Sequence, residues 1–266
     1  MSAFYRRDSD HPGLFHSTVK TRGPWDENAQ HGGPPSALLL RGMLDRVASD
    51  VDGEFAVARL ATEFLRPVPI LPLTVEARIV KAGRTAVRVA ATLSAEREVM
   101  TATAIFLRQD PNIAPPSARP DGHVDEPWPD PESLDSTVFT FFTHDEGYHR
   151  AVDIRPVDPP WGTTPARFWG CPRIALVDGE PTAPEEAVVI LADAESGMGP
   201  PVDPMRYTYA NPDLTVYFAR RPEPGMVGLD IRSMAGDAGV GLSEARLRDA
   251  RGIFGRSAQS LVIAPR

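Results

Sequence analysis

Cysteine is almost absent: Cys171 is the one thiol in 266 residues. Without a second thiol there is no internal disulfide framework, and no cysteine-based metal cluster can form. A lone thiol of this kind reads as a small buried apolar side chain. Excess positive charge is also lacking. Asp and Glu number 36 against 28 Lys and Arg, a formal charge of -8, which argues against broad binding to nucleic acid or to an anionic membrane. No apolar run approaches the ~20 residues of a membrane span. No apolar segment follows Arg6 and Arg7 as a secretory signal requires, so a cytoplasmic chain is expected. His144 and His149 stand near Asp145 and Glu146, but no further His or Cys completes a ligand set. That segment reads as a polar surface loop, and no metal is expected.

Apolar residues make up 42% of the chain, enough for a substantial core. The length suits one large domain or two ordinary ones. A first strand is expected over 16–21, and the sequence then turns at Gly23-Pro24-Trp25-Asp26. His31-Gly32-Gly33-Pro34-Pro35 leads into a helix over 36–49, the prolines falling in a first turn whose amides have no helical partner. Strands are expected over 56–66, 73–80, 86–95 and 100–108. In the second of these, Leu73, Val75, Ala77 and Ile79 alternate with polar residues. Prolines then crowd residues 110–131 and make a stiff, extended connection. The domain reading is an N-terminal unit over 1–110, a linker over 111–133, and a C-terminal unit over 134–266.

The C-terminal unit opens with a short Phe/Thr segment over 139–143 and strands near 151–156 and 167–177. Thr182-Ala183-Pro184-Glu185 has the spacing of a capping box, and Gly197 is the expected stop of the helix it begins. Between them, Ala187-Val188-Val189-Ile190-Leu191-Ala192 is apolar on nearly every side, so the helix should be buried all round, with Asp193 as its charge. The tail, 207–266, reads as three or four antiparallel strands with a hairpin turn at Asp249-Ala250-Arg251-Gly252. In the last strand Ile253, Leu261 and Ile263 are placed on one face, with Gln259 among them. A carboxamide there needs partners, or costs about 1–3 kcal/mol.

The halves repeat each other in order. Phe64-Leu65-Arg66-Pro67 overlays Phe218-Ala219-Arg220-Arg221. At the same offset Val75-Glu76-Ala77-Arg78 overlays Leu229-Asp230-Ile231-Arg232, and the turn Ala95-Glu96-Arg97-Glu98 overlays residues 249–252. A tandem duplication follows. The fold class is α+β, with a long helix wrapped by an antiparallel sheet twice over: a double hotdog.

With these residues the chain resembles the acyl-CoA thioesterase II family and its actinobacterial-type relatives. The likeness lies in Asn211-Pro212-Asp213-Leu214-Thr215-Val216, Val240-Gly241-Leu242-Ser243 and Gly255-Arg256-Ser257-Ala258-Gln259-Ser260-Leu261. In the first half it lies in His31-Gly32-Gly33 and Phe64-Leu65-Arg66-Pro67. The resemblance implies a water held by an Asp on the second-half helix, a Thr at the start of the next strand and a Gln on the last. Asp193 and Gln259 match the first and last. Asn211 stands in place of Thr, a departure that removes a hydroxyl but keeps a donor and an acceptor. The first-half equivalents are Met43 and Ala104, both inert, so one active site per chain is implied. An acyl-CoA substrate is implied as well, and a homodimer is allowed.

The chemistry needs no cofactor. A thioester carbon is electrophilic and a thiolate leaves readily, so a carboxylate acting on water is enough. The amides of Gly32 and Gly33 at a helix N-terminus are the expected oxyanion donors. Two other readings stay open. Asp26-Glu27-Asn28-Ala29-Gln30-His31 resembles the catalytic segment of hotdog enoyl-CoA hydratases, with Asp26 and His31 handling the proton. A hotdog protein that binds acyl-CoA without turnover is the other, and Asn211 is the feature that favours it.

Overall fold

The structure is a computed structural model that describes residues 3–110, 112–113, 127–139, 141–142, 144–158, 162 and 164–266. Most of the proline-rich connection expected over 110–131 lies outside the described residues. Its described end packs on the second half, where Trp128 meets Trp169 edge-on at 5.2 Å and the Trp169 indole donates to the Pro129 carbonyl.

The first half runs β1 (Ala3–Arg7), β2 (Leu14–Ser17), α1 (Gly33–Asp50), β3 (Phe55–Phe64), β4 (Pro72–Ala82), β5 (Ala86–Ser94) and β6 (Glu98–Arg108). The second runs α2 (Tyr148–Ala151), β7 (Val152–Pro156), β8 (Ala166–Pro172), β9 (Ala175–Val177), α3 (Pro184–Ala192), α4 (Glu195–Met198), β10 (Tyr207–Ala210), β11 (Asp213–Phe218), β12 (Val227–Ala235), β13 (Val240–Asp249) and β14 (Gly252–Pro265). All of these strands belong to one sheet. Its order is β7-β8-β12-β13-β14-β11-β3-β6-β5-β4-β2-β1-β9, with β10 added on β14. Read outward from the β11–β3 junction, the two directions match strand for strand: β11 with β3, β14 with β6, β13 with β5, β12 with β4. The expected repeat in sequence is therefore a repeat in topology.

The junction itself is antiparallel, with Thr215 opposite Ala61 and Val216 opposite Leu60. Leu214, Val216 and Leu60 are fully buried, so the core runs through the seam. α1 packs on β3 to β6, α3 packs on β8, β11 and β12, and the two helices pack on each other. Arg41 of α1 fixes that crossing. Its guanidinium donates from Nε to Glu186 Oε1 at 2.5 Å and from Nη2 to Glu186 Oε2 at 2.7 Å, a two-point contact suited to the planar fork.

Several expectations need correction. The first strand is not at 16–21. Residues 19–21 form a 3-10 turn, and two strands, β1 and β2, precede it. The second-half helix is short: α3 ends at Ala192, Asp193 caps it, and Gly197 lies inside α4. The helix start also differs. Thr182 Oγ1 accepts from the Leu176 amide, and it is Glu186 that reaches back to the Ala183 amide at 2.8 Å. Asp193 is not the lone charge either, since Glu185 and Glu186 of α3 are both buried. Ile253 is 40% exposed rather than inward. A bulge against Leu247/Arg248 inserts Phe254, which flips the face of every residue before it. Beyond the bulge Ser257, Gln259 and Leu261 are buried together, as the period-two reading of Gln259 requires.

Candidate active site

α3 is buried because it is apolar all round and enclosed by α1 and the sheet. Residues 188–192 are all fully buried. Asp193 is the first residue after this helix, and it is 4% exposed. Each of its carboxylate oxygens has a partner. Asn211, just before β11, donates from Nδ2 to Asp193 Oδ1 at 2.8 Å, and the same nitrogen reaches the Asp213 carbonyl at 3.1 Å. On the other side, Asp193 Oδ2 lies 2.9 Å from His31 Nδ1.

His31 comes from the opposite half. Its ring is stacked on Tyr148 with centroids 3.7 Å apart and planes within 5°. Tyr148 is itself anchored, its hydroxyl donating to the Ile190 carbonyl at 2.9 Å. Burial first, and then the Asp193 charge, push the Tyr148 phenol well above its ordinary range, so it stays neutral. The Gly33 amide also points at His31 Nδ1, at 3.2 Å. Nδ1 cannot accept that proton and donate its own. The shorter contact to an ionised carboxylate is the stronger, so the tautomer follows: Nδ1 carries the proton and gives it to Asp193.

The glycines are required by close approach. A Cβ on Gly33 would lie 2.2 Å from the Ile190 carbonyl oxygen, and one on Gly32 would meet the Phe64 ring at 2.5 Å and Asp193 Oδ1 at 2.8 Å. Gly33 is thus the contact point of the two helices. Gly32 instead lines a cavity of about 580 Å³, together with His31, Asp193 and Asn211. The cavity's other walls are aromatic, including Trp25, Phe139, Phe141 and Tyr209. Trp25 stacks on Phe141 and meets Tyr209 edge-on at 5.4 Å. Such a volume with few polar groups is ordinary for a small-molecule site.

The structure therefore brings Asp193, Asn211 and Gly32 into one wall. Gln259 is set behind it. The side chain is 1% exposed, does not line the cavity, and turns its Nε2 toward the Ala192 carbonyl at 3.5 Å. There it joins a group that sequence reasoning missed. Glu195, the first residue of α4, is fully buried, and Ser257 donates to its Oε2. Burial pushes the Glu195 carboxyl up to about 8. Hydrogen bonds from Ser257 and Gln259 oppose that shift, and the Asp193 charge adds to it. Two buried oxygens in this group, Glu195 Oε1 and Gln259 Oε1, have no donor among the described residues. The signal available in the sequence was the parity of Ser257 with Gln259 on β14.

Met43 and Ala104 are buried in the core. Asp26 lines the same cavity but is exposed, and its carboxylate closes its own turn on the Asn28 amide at 2.8 Å. The loop expected around His144 is not wholly a polar surface. His149 is buried with its ring 4.4 Å from that of Phe142. No cluster of three or more potential metal ligands occurs among the described residues, and no helix there is long and apolar enough to cross a membrane.

Comparison with known proteins gives two family matches. Residues 21–107 match the acyl-CoA thioesterase N-terminal domain and residues 116–263 the acyl-CoA thioesterase C-terminal domain. No curated protein matches in sequence. Among solved structures, one assigned as a thioesterase II from Thermobifida fusca YX superposes with a TM-score of 0.71 at 22% identity, covering 98% of this chain and 95% of that one. A hot dog fold protein from Alicyclobacillus acidocaldarius gives 0.68 at 17% identity, with 98% and 95% covered. Acyl-CoA thioesterase II TesB2 from Mycobacterium marinum gives 0.65 at 16% identity, with the same coverage. At these identities the structural likeness establishes the hotdog fold.

Proposed function

This chain belongs to the acyl-CoA thioesterase family, and we propose that it hydrolyses fatty acyl-CoA or a related acyl thioester with a water activated at Asp193. The observation that carries the reading is the double contact of the Asp193 carboxylate, to Asn211 on one oxygen and His31 on the other, at the wall of an aromatic-lined cavity. The acyl group is apolar and the aromatic walls desolvate it. The reacting carbonyl then lies at the polar wall.

Gly32 has a free role in this reading. Pro34 and Pro35 lack amide protons and the Gly33 amide points at His31 Nδ1, so of the two expected donors it is Gly32 that offers an amide to the cavity at the N-terminal end of α1. There the helix dipole adds to oxyanion stabilisation. Gln259 belongs to the same reading. Its amide reaches the Ala192 carbonyl beside Asp193 from behind the cavity wall, so it supports the position of that carboxylate rather than touching the water. We take the chain as a double hotdog, units 1–110 and 134–266 joined by 111–133, because the strand order repeats on either side of the β11–β3 seam. The catalytic carboxylate belongs to the second unit and its oxyanion donor to the first.

The hydratase reading loses support from the pairing of His31. The carboxylate it meets is Asp193, while Asp26 is occupied in its own turn. The discriminating experiment is thiol release measured across acyl-CoA esters of increasing chain length, with hydration of an enoyl-CoA followed in parallel. Thiol release without hydration is expected. Hydration without thiol release would replace the reading with the hydratase. Tight binding without either reaction would replace it with the binding protein.

A further inference from the structure

Which group takes the proton from water is a separate question. We propose that it is His31, with Asp193 serving as the carboxylate that orients the imidazole and carries the balancing charge. The inference rests on the thioesterase reading and deepens it.

Three observations lead to it. Both oxygens of Asp193 are already engaged, and its side chain is 3% exposed against 11% for His31. The carboxylate is thus the more enclosed of the two. The imidazole is fixed in position and in plane: Nδ1 is held by Asp193 at 2.9 Å, and the ring lies flat on Tyr148, which is tied to α3 through the Ile190 carbonyl. Finally, no described residue hydrogen bonds to His31 Nε2. That nitrogen is not among the enclosed polar atoms, and His31 lines the cavity. A proton on Nδ1 leaves Nε2 with its lone pair, which makes it an acceptor. An oriented imidazole in a cavity wall, with its second nitrogen unpaired and not enclosed, is the arrangement of a general base with its orienting group.

The step balances. A water proton passes to Nε2 while the water oxygen bonds to the thioester carbon, and the carbonyl oxygen becomes an oxyanion beside the Gly32 amide. The imidazolium is stabilised by Asp193. The carbon–sulfur bond then breaks, Nε2 returns its proton to the departing coenzyme A sulfur, and the products are the acid and the thiol. The charged and titratable groups around this imidazole are Asp193 across the Nδ1 contact, Tyr148 under the ring, and Asp26, Arg66 and Tyr209 on the cavity walls.

His31→Asn separates this role from a merely structural one. The Asn amide nitrogen falls near the place of Nδ1 and can still donate to Asp193, but nothing replaces Nε2. The inference predicts a fall of ~10²–10⁴-fold in kcat, the usual worth of a general base, with little change in KM and in the melting temperature. His31→Asn within threefold of an active wild type overturns it and leaves Asp193 as the base. Should the variant fail to fold, the low-pH limb of the wild-type rate profile decides. A temperature dependence typical of imidazole ionisation supports His31, and the flat response of a carboxylate overturns it. A wild type that releases no thiol from any acyl-CoA defeats the thioesterase reading itself, an outcome distinct from an active wild type with an active His31→Asn.

Discussion

Asn211 Nδ2 donates to Asp193 Oδ1 at 2.8 Å, across the boundary between the end of α3 and the start of β11. A hydrogen bond to an ionised group contributes roughly 1.5–3 kcal/mol and holds the carboxylate at one angle. Asn211→Asp replaces that donor with a second carboxylate at the same spacing. Two such groups cannot both ionise cheaply, so they share a proton and Asp193 loses its full charge. Turnover of an acyl-CoA near neutral pH should fall by about tenfold or more, equivalent to ~1.4 kcal/mol. Asn211→Thr is shorter but keeps a hydroxyl donor, and should retain more activity than Asn211→Asp. Steady-state rates of the two variants check the order; the reverse order would remove Asn211 from this role.

Gly33 makes a prediction about stability. Its α-carbon faces the Ile190 carbonyl so closely that an added Cβ would sit 2.2 Å from the oxygen. The obstacle is backbone, so no side chain can swing away. Gly33→Ala must part α1 from α3 and should cost about 1–3 kcal/mol or more, the range of overpacked sites. It also lies two residues from His31, so activity should fall with stability. Thermal unfolding checks this, and an unchanged melting temperature would show that the helices can separate freely.

Glu195 predicts a pH dependence. Its folded-state pKa is raised to about 8 by burial, well above the ordinary 4.5. Below ~4.5 both folded and unfolded chains hold the proton. Between there and about 8 the unfolded chain has released it and the folded chain has not. Stability therefore falls as pH rises through that window, by at most ~1.4 kcal/mol per pH unit, and levels off above it. Glu195→Gln is neutral throughout and offers an amide donor for the unpartnered Gln259 Oε1. Urea midpoints at pH 6, 7 and 8 should decline for the wild type and stay nearly level for the variant. Parallel declines would show that Glu195 is not the group responsible.

Much of the architecture was legible because strand alternation and the repeat of Phe64–Arg78 in Phe218–Arg232 are local patterns. The burial of Asp193 and of Gln259 was legible for the same reason, each standing in a run whose neighbours are mostly apolar. What failed was information carried by distant contacts. Ile253 was placed inward because period two was continued through a bulge that only pairing with β13 reveals. The helix was drawn through Asp193 to Gly197 because nothing in the sequence marks Ala192 as its last residue. His31 read either as the edge of a glycine turn or as the partner of Asp26, since Asp193 and Tyr148, which it meets, lie in the other half. Glu195 was not singled out at all, because the groups that meet its buried carboxyl, Ser257 and Gln259, arrive from β14.

The most direct test is thiol release by wild type and Asp193→Asn on the best acyl-CoA found, with folding verified for both. The substitution keeps the volume and removes the charge that both Asn211 and His31 address. Whether Asp193 takes the proton or sustains the imidazole that does, kcat should drop ~10²–10⁴-fold. Thiol release by Asp193→Asn at the wild-type rate would contradict the account.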